Sequence, residues 1–384
     1  MIKLSIPAMF NEIQLEKIEQ LNKNSTNNRY ITEIYGSIPK APVGTIRPAL
    51  TLPNLDTEEL FQFIKNTRKK GLGFAYIMNS TVSDGKEYTI VGKTEIIRFI
   101  EKLVDAGISS ITITTPFLIR LVKKYFPELR IVASICAEIE SVQKAQDFVD
   151  LGVDCIVPAK DVNRNFSLLR QMVELPIEIK LLATTPCLYK CSDIFYHMNL
   201  SSVRDNDLEK GFAIHGKFLS HTASRCQRRR LENPVEYIRS PWIRPEDLQV
   251  YEKNGISFFK LDGRDKTLEY NLEVAEAYMR GKFNGNLMYL MQNYFPKNIK
   301  EFQLLGKDDS NFWRLGIYVD NKALDGFINA FESLKVSCEK GCSKCSYCQF
   351  WSDKVIQYDE KNTNKYLNML RKWEDDSLDI NFER

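Results

Sequence analysis

The feature that most constrains the fold is an alternation. Short apolar, β-rich runs fall at 2–7 (IKLSIP), 30–36 (YITEIYG), 73–79 (GFAYIMN), 109–115 (SSITITT), 130–136 (RIVASIC), 154–159 (DCIVPA), 177–184 (IEIKLLAT) and 256–262 (ISFFKLD). Between them lie amphipathic stretches such as TEELFQFIKNTRKKG, KTEIIRFIEKLVDAG and ESVQKAQDFVDLG. Several end in Gly, a usual helix stop. Strands that alternate with helices pair in parallel through helical crossovers. Eight such units predict an α/β fold, a TIM-like (β/α)8 barrel. A doubly wound open sheet is the rival. It is disfavoured because the count closes and no G-x-G-x-x-G turn follows any strand.

Two segments break the regular spacing. A Pro-rich loop, SIPKAPVGTIRPALTLPNLD (37–56), follows the second strand, and a long insertion (185–255) separates the seventh strand from the eighth. In a barrel such loops rise at the C-terminal face, where chemistry is done. Residues 1–280 are therefore expected to form the barrel with its insertion, and 281–384 a C-terminal extension.

With 384 residues, 43% of them apolar, the chain can bury a sizeable core. A net charge of +3 demands neither nucleic acid nor a membrane surface. The start, MIKLSIPAMFNEIQLEK, lacks a signal-peptide core, and no run approaches the roughly 18 apolar residues of a membrane span. The expectation is a cytoplasmic protein. There disulfides are rare, and clustered cysteines bind metal or do redox work.

Nine cysteines are present, an odd number for a disulfide framework. Four of them, Cys338, Cys342, Cys345 and Cys348, fall within SCEKGCSKCSYCQFW. On one continuous helix the C-x3-C-x2-C-x2-C spacing would make a stripe, which cannot surround a metal. Gly341 weakens such a helix, so a loop wrapping a centre is expected. Successive C-x2-C steps suit an iron–sulfur cluster. Zinc sites more often pair two such units across a long spacer. Both metals, and incidental thiols, stay open on spacing alone.

A second group, Cys187, Cys191 and Cys226, lies in the insertion, with His197, His215 and His221. Three thiols suit a cluster completed by a fourth ligand from a histidine, the terminal cysteines or substrate. The bland alternative is small buried hydrophobes. Cys155, at the start of a strand, is expected in the core, and Cys136 is a weak candidate for the mouth.

Strand ends supply further polar candidates: Asn79, Lys160, Asp161, Arg164, Asp262 and Arg264. Arginines suit bidentate carboxylate binding, and Gly263 beside Arg264 suggests a tight turn delivering a charge. Caps and surface ion pairs are the ordinary explanation for each. Arg228, in the QRRR that follows Cys226, could meet an anionic substrate or RNA phosphate, or be a solvated face. No G-x-S-x-G elbow or H-E-x-x-H motif is present. The C-x3-C-x2-C of radical SAM enzymes occurs at 338–345, but after the barrel, where that chemistry does not place it.

The stretches AIHGKFLSHTASRC, IRPEDLQVYEKNGISFFKLDGRD, DVNRN and PCLYKCSDIFYHMNLS resemble peptidase family U32 over roughly residues 70–350. The resemblance implies a TIM-like barrel and a 4Fe-4S cluster held by cysteines of the strand 7–8 region. The family is named for collagenase-like proteases. Several members instead support oxygen-independent hydroxylation of ubiquinone precursors or RNA bases, with prephenate as oxygen donor. Cys226 matches the family's cysteine in its G-R-C position; Leu219 stands where a further cysteine is usual, and Cys187 and Cys191 are candidates to replace it. The combined expectation is an iron–sulfur enzyme with Cys187, Cys191 and Cys226 at the barrel mouth. Cys338, Cys342, Cys345 and Cys348 would hold a second cluster or complete the first. Arg264, Arg164 and His221 are the candidate catalytic groups, and Arg228, Asn79, Lys160 and Asp262 the candidate substrate contacts. A small anionic substrate is expected, with an electron donor or partner subunit and RNA as further partners and no membrane. A peptidase with a structural metal and a non-catalytic RNA-binding protein are the alternatives.

Overall fold

A computed structural model describes residues 1–47, 52–202, 222, 224–291 and 317–378. The chain divides into two units. The first comprises Met1–Thr184, Met198–Arg204 and Ile243–Lys282; the second comprises Thr185–His197, Asp205–Trp242 and Phe283–Arg384. Most of the insertion therefore groups with the C-terminal extension and not with the barrel, as chain order alone suggests.

The first unit is a closed parallel barrel in the order β1-β2-β3-β4-β5-β6-β7-β8. Its strands are β1 Ile2–Pro7, β2 Arg29–Gly36, β3 Gly73–Met78, β4 Ser110–Ile113, β5 Ile131–Ala133, β6 Cys155–Ile156, β7 Glu178–Leu182 and β8 Phe258–Lys260. Closure runs through Lys3↔Phe258, Leu4↔Phe259 and Ser5↔Lys260. All eight expected runs are strands, and several are shorter than their apolar pattern. β5 and β6 give way to 3-10 turns at Ile135–Ala137 and Lys160–Arg164, so their last residues already belong to the mouth.

Local chemistry sets the helices between strands. Asp56 and Glu59 form a capping box at the start of Thr57–Lys69. Gly107, in the left-handed region, ends Ile90–Ala106, and Pro116 opens Pro116–Tyr125. Outward strand residues pack on these helices: Phe259 meets Tyr251 edge-on at 5.9 Å.

The inward face is unusual. Barrel interiors are mostly filled by branched apolar side chains. Here Lys180 Nζ lies 2.8 Å from Glu33 Oε1, and Ser5 Oγ donates to the same oxygen. Lys180 also sits 4.0 Å over the Phe258 ring. An ion pair therefore fills the middle of the barrel, with a hydroxyl as third member.

In the second unit Phe327 is the centre of an aromatic cluster with Trp242 at 5.3 Å, Phe331 at 5.4 Å, Tyr347 at 5.6 Å and Trp351 at 5.7 Å. Tyr347 Oη donates to the Phe327 carbonyl at 2.7 Å. β9 (Ile317–Val319) and β10 (Ile356–Tyr358) pair antiparallel, and the short helix Val235–Arg239 packs against the helix Tyr347–Val355.

Candidate functional site: a charged barrel mouth and a gathering of thiols

At the C-terminal rim of the barrel, Asp262 is the organising residue. Its Oδ2 accepts from Arg47 at 2.8 Å, and its Oδ1 accepts from the Gly263 amide at 3.0 Å and from Tyr35 Oη at 3.3 Å. Burial opposes its charge, but Arg47, Arg264, Lys260 and the Gly263 amide outweigh burial and hold the carboxyl near 2. The expected turn after β8 is present: the Lys266 amide donates to the Gly263 carbonyl at 2.9 Å. It presents Arg264 half-buried, with its guanidinium carbon 5.9 Å from the Tyr35 ring centre.

Lys260, one turn below, was not singled out by its sequence context. It points inward from the end of β8, with Nζ 3.9 Å from the centre of the Tyr35 ring. Burial is the main cause that brings its pKa down to about 7, and the cations Arg264 and Lys180 add to it. The sequence signal was available: ISFFKLD, IEIKLLAT and YITEIYG each carry a charge inside an otherwise apolar strand.

Asp262 supplies a pH prediction. Its folded pKa lies below the unfolded carboxyl value of about 3.9, so its stabilisation is complete above that value and disappears as pH falls toward 2. Acid unfolding of the parent should therefore lose stability between about pH 4 and 2 relative to Asp262→Asn, whose stability carries no such contribution. Parallel curves for the two proteins would contradict the assignment.

Other expected mouth residues are committed to the framework. Asn79 donates to Ser134 Oγ at 3.1 Å and to Cys136 Sγ at 3.5 Å, and its Oδ1 accepts from the Ile46 amide at 3.4 Å. It ties the end of β3 to the turn after β5. Lys160 is buried and paired with Asp161 at 3.2 Å. Arg164 is buried within electrostatic reach of Tyr251, on the side of β6 that faces the helices. Cys136 is buried near the mouth, where burial pushes its thiol up to about 11; Cys155 packs in the core with Val132 and Val157, as expected. His215 and His221 lie outside the described residues.

The second unit brings cysteine segments together. The helix 224–232 carries Cys226, and Arg225 at its start reaches Ser192 Oγ at 3.3 Å and pairs with Asp193, the two residues that follow Cys191. Ser240 Oγ donates to the Cys187 carbonyl at 2.8 Å. On the helix Val235–Arg239, Tyr237 feels Cys226, and Arg239 feels Cys342 and Cys348. Burial opposes the Arg239 charge, but its hydrogen bond to Glu236 and those two sulfurs raise its pKa above the ordinary value. Cys338 and Cys342 open two 3-10 turns separated by Gly341 at φ 80°, and Cys348 lies in the first turn of Tyr347–Val355. The loop expected from the spacing is the one observed.

Every cysteine is free, and the seven of the second unit are half-buried. Among the described residues no three His, Cys, Asp or Glu side chains stand at metal-binding separation. The donor set fits an iron–sulfur group in two respects. It is all thiol, which suits iron and sulfide. Beside it, Arg230 Nε and Nη2, Tyr237 Oη and Trp351 Nε1 are buried donors with no hydrogen-bond partner among the described residues. A sulfide-rich anion would give such donors an acceptor.

The run QRRR is not one basic patch. Arg228 is held by Glu374 at 2.6 and 3.1 Å and by Glu232 at 2.8 Å. Arg230 is buried with its guanidinium carbon 5.7 Å from the Tyr237 ring centre, and only Arg229 is exposed. No described helix is long and apolar enough to cross a membrane.

Fold and sites together define a TIM-like α/β protein with a charged barrel interior and a second unit rich in free cysteines. The chain belongs to peptidase family U32, whose model matches residues 46–192. It is 27% identical over 369 residues to an uncharacterized protease of Methanocaldococcus jannaschii, across 93% of this chain and 99% of that one. A solved U32 peptidase structure is 18% identical, with a TM-score of 0.43 over 53% of this chain and 76% of the other. CutC from Streptococcus agalactiae is 13% identical, with a TM-score of 0.33 over 53% of this chain and 95% of the other.

Proposed function

We propose that the protein is an iron–sulfur enzyme of the U32 family that modifies an acceptor without molecular oxygen, hydroxylation being the reaction class. Cysteines of the second unit, drawn from Cys187, Cys191, Cys226, Cys338, Cys342, Cys345 and Cys348, hold the 4Fe-4S cluster. When bound, the cluster supplies electron transfer or Lewis acidity. The chain's own residues do the rest. Arg230, Tyr237 and Trp351 aim buried donors beside the thiols, and Arg47, Arg264 and Lys260 make the barrel mouth electropositive around Asp262. An anionic oxygen donor of the prephenate kind suits that mouth.

One observation carries this reading: thiols remote in sequence surround a single short helix, none of them oxidised to another. The peptidase alternative rests on the name its relatives carry. The buried Cys136 has its thiol pushed up to about 11, which leaves it a poor nucleophile.

The test is made in the host. Cells lacking the gene, grown without oxygen, should lose a hydroxylated small molecule or RNA base. The parent gene should restore it, and a Cys187→Ala/Cys191→Ala variant should not. Restoration by the cysteine variant would contradict the reading, as would cleavage of casein by the purified protein at an undiminished rate after iron removal.

A further inference from the structure

Lys260 is the interior cation that the proposed function does not explain. Lys180, one layer below, is paired with Glu33, and Lys160 is paired with Asp161. Charges at the opposite rim are paired too: Glu178 takes both Lys3 and Arg130 beside a cavity of about 510 Å³. Lys260 has neither a hydrogen-bond nor an ion-pair partner among the described residues; its one close polar neighbour is the face of Tyr35. It is half-buried, so the amine is reachable from the mouth.

We propose that Lys260 is a nucleophilic lysine that forms an imine with a small carbonyl compound bearing a carboxylate, of the 2-oxo acid class. An inward lysine at the end of a barrel strand meets a ligand lying in the mouth at the rim where barrel chemistry occurs. Its surroundings favour the neutral amine: an aromatic face, the cation Lys180 below and the cation Arg264 above. The amine lone pair forms a bond to the carbonyl carbon, and the carbonyl oxygen takes up a proton. Nitrogen then loses one proton, the hydroxyl leaves as water with another, and a protonated imine remains. No oxidant or reductant is consumed.

The carboxylate is read from the charges above the amine. Arg47 and Lys266 are paired with Asp262 and Asp265, and Arg264 adds a further positive charge. With Lys260 neutral, three cations face two anions, and an anionic ligand completes the balance. The proposal rests on barrel residues alone, so it fails or stands separately from the cluster.

The experiment is reductive trapping. The full-length protein is incubated with pyruvate and sodium cyanoborohydride, digested, and mapped by mass spectrometry. A 1-carboxyethyl adduct is expected on the peptide containing Lys260, and none at that site in a folded Lys260→Arg variant. Arg264→Gln should raise the pyruvate concentration for half-labelling roughly tenfold, the effect of losing a charged hydrogen bond, while leaving labelling by acetone unchanged. Absence of label on Lys260 of the folded parent, or label spread evenly over surface lysines, would overturn the proposal. The parent map alone decides this if a variant does not fold.

Discussion

Replacing Glu33 by alanine is expected to destabilise the barrel by about 3–5 kcal/mol, seen as a large drop in the denaturation midpoint. Glu33 and Lys180 are buried at the centre of the barrel, 2.8 Å apart, with Ser5 as the only other polar group on that carboxylate. Burial alone would raise the Glu33 pKa, and the attraction of Lys180 reverses this, so the carboxylate is ionised in the fold. Removing it leaves an ammonium in the interior beside the Phe258 ring, without its counter-charge. The cost is the stranded charge, not the lost attraction. Hence Glu33→Leu combined with Lys180→Met should recover most of the stability, since an apolar pair of similar volume often equals a buried ion pair. Equal destabilisation by the single and double changes would show that packing, and not charge, governs the site.

The second large effect belongs to the other unit. Removing iron by chelation under oxidising conditions should destabilise residues 185–197, 224–240 and 317–378 while sparing the barrel. Around the thiols this unit buries donors with no protein acceptor, a cost of about 1–3 kcal/mol each unless something accepts from them. A ligand filling its site a hundredfold above its dissociation constant adds about 2.7 kcal/mol to the state that binds it. Limited proteolysis should therefore begin at segments near Cys187, Cys226 and Cys338 after chelation. Cuts within β1–β8 should appear only at much longer times. Unchanged proteolysis after complete iron removal would contradict a structural part for the metal.

Much of the fold was legible because a barrel imposes a simple pattern. Each β run is short, apolar and followed by an amphipathic helix, and all eight were visible. Their ends were less so, because Cys136 and Lys160 look like strand continuations yet sit in 3-10 turns. The mouth was legible where a residue followed a strand, as with Asp262 and Arg264. It was hidden where the residue lay inside one: Lys260, Glu33 and Lys180 read as strand residues, and period-2 alternation does not say that their side faces a closed interior. Arg228 shows a different limit. Its partner Glu374 is 146 residues away, and no local pattern announces that pairing. The grouping of the insertion with the C-terminal extension is likewise made by long-range packing, through Trp242, Phe327 and Trp351.

The most direct test of the central claim is iron and sulfide content after anaerobic purification. It is measured on the parent, on Cys187→Ala/Cys191→Ala and on Cys345→Ala/Cys348→Ala. Thiols from both segments that gather around Val235–Arg239 predict about four irons and four sulfides in the parent and near-total loss in both variants. Zinc in place of iron, or iron retained in half or in full by either variant, would contradict it.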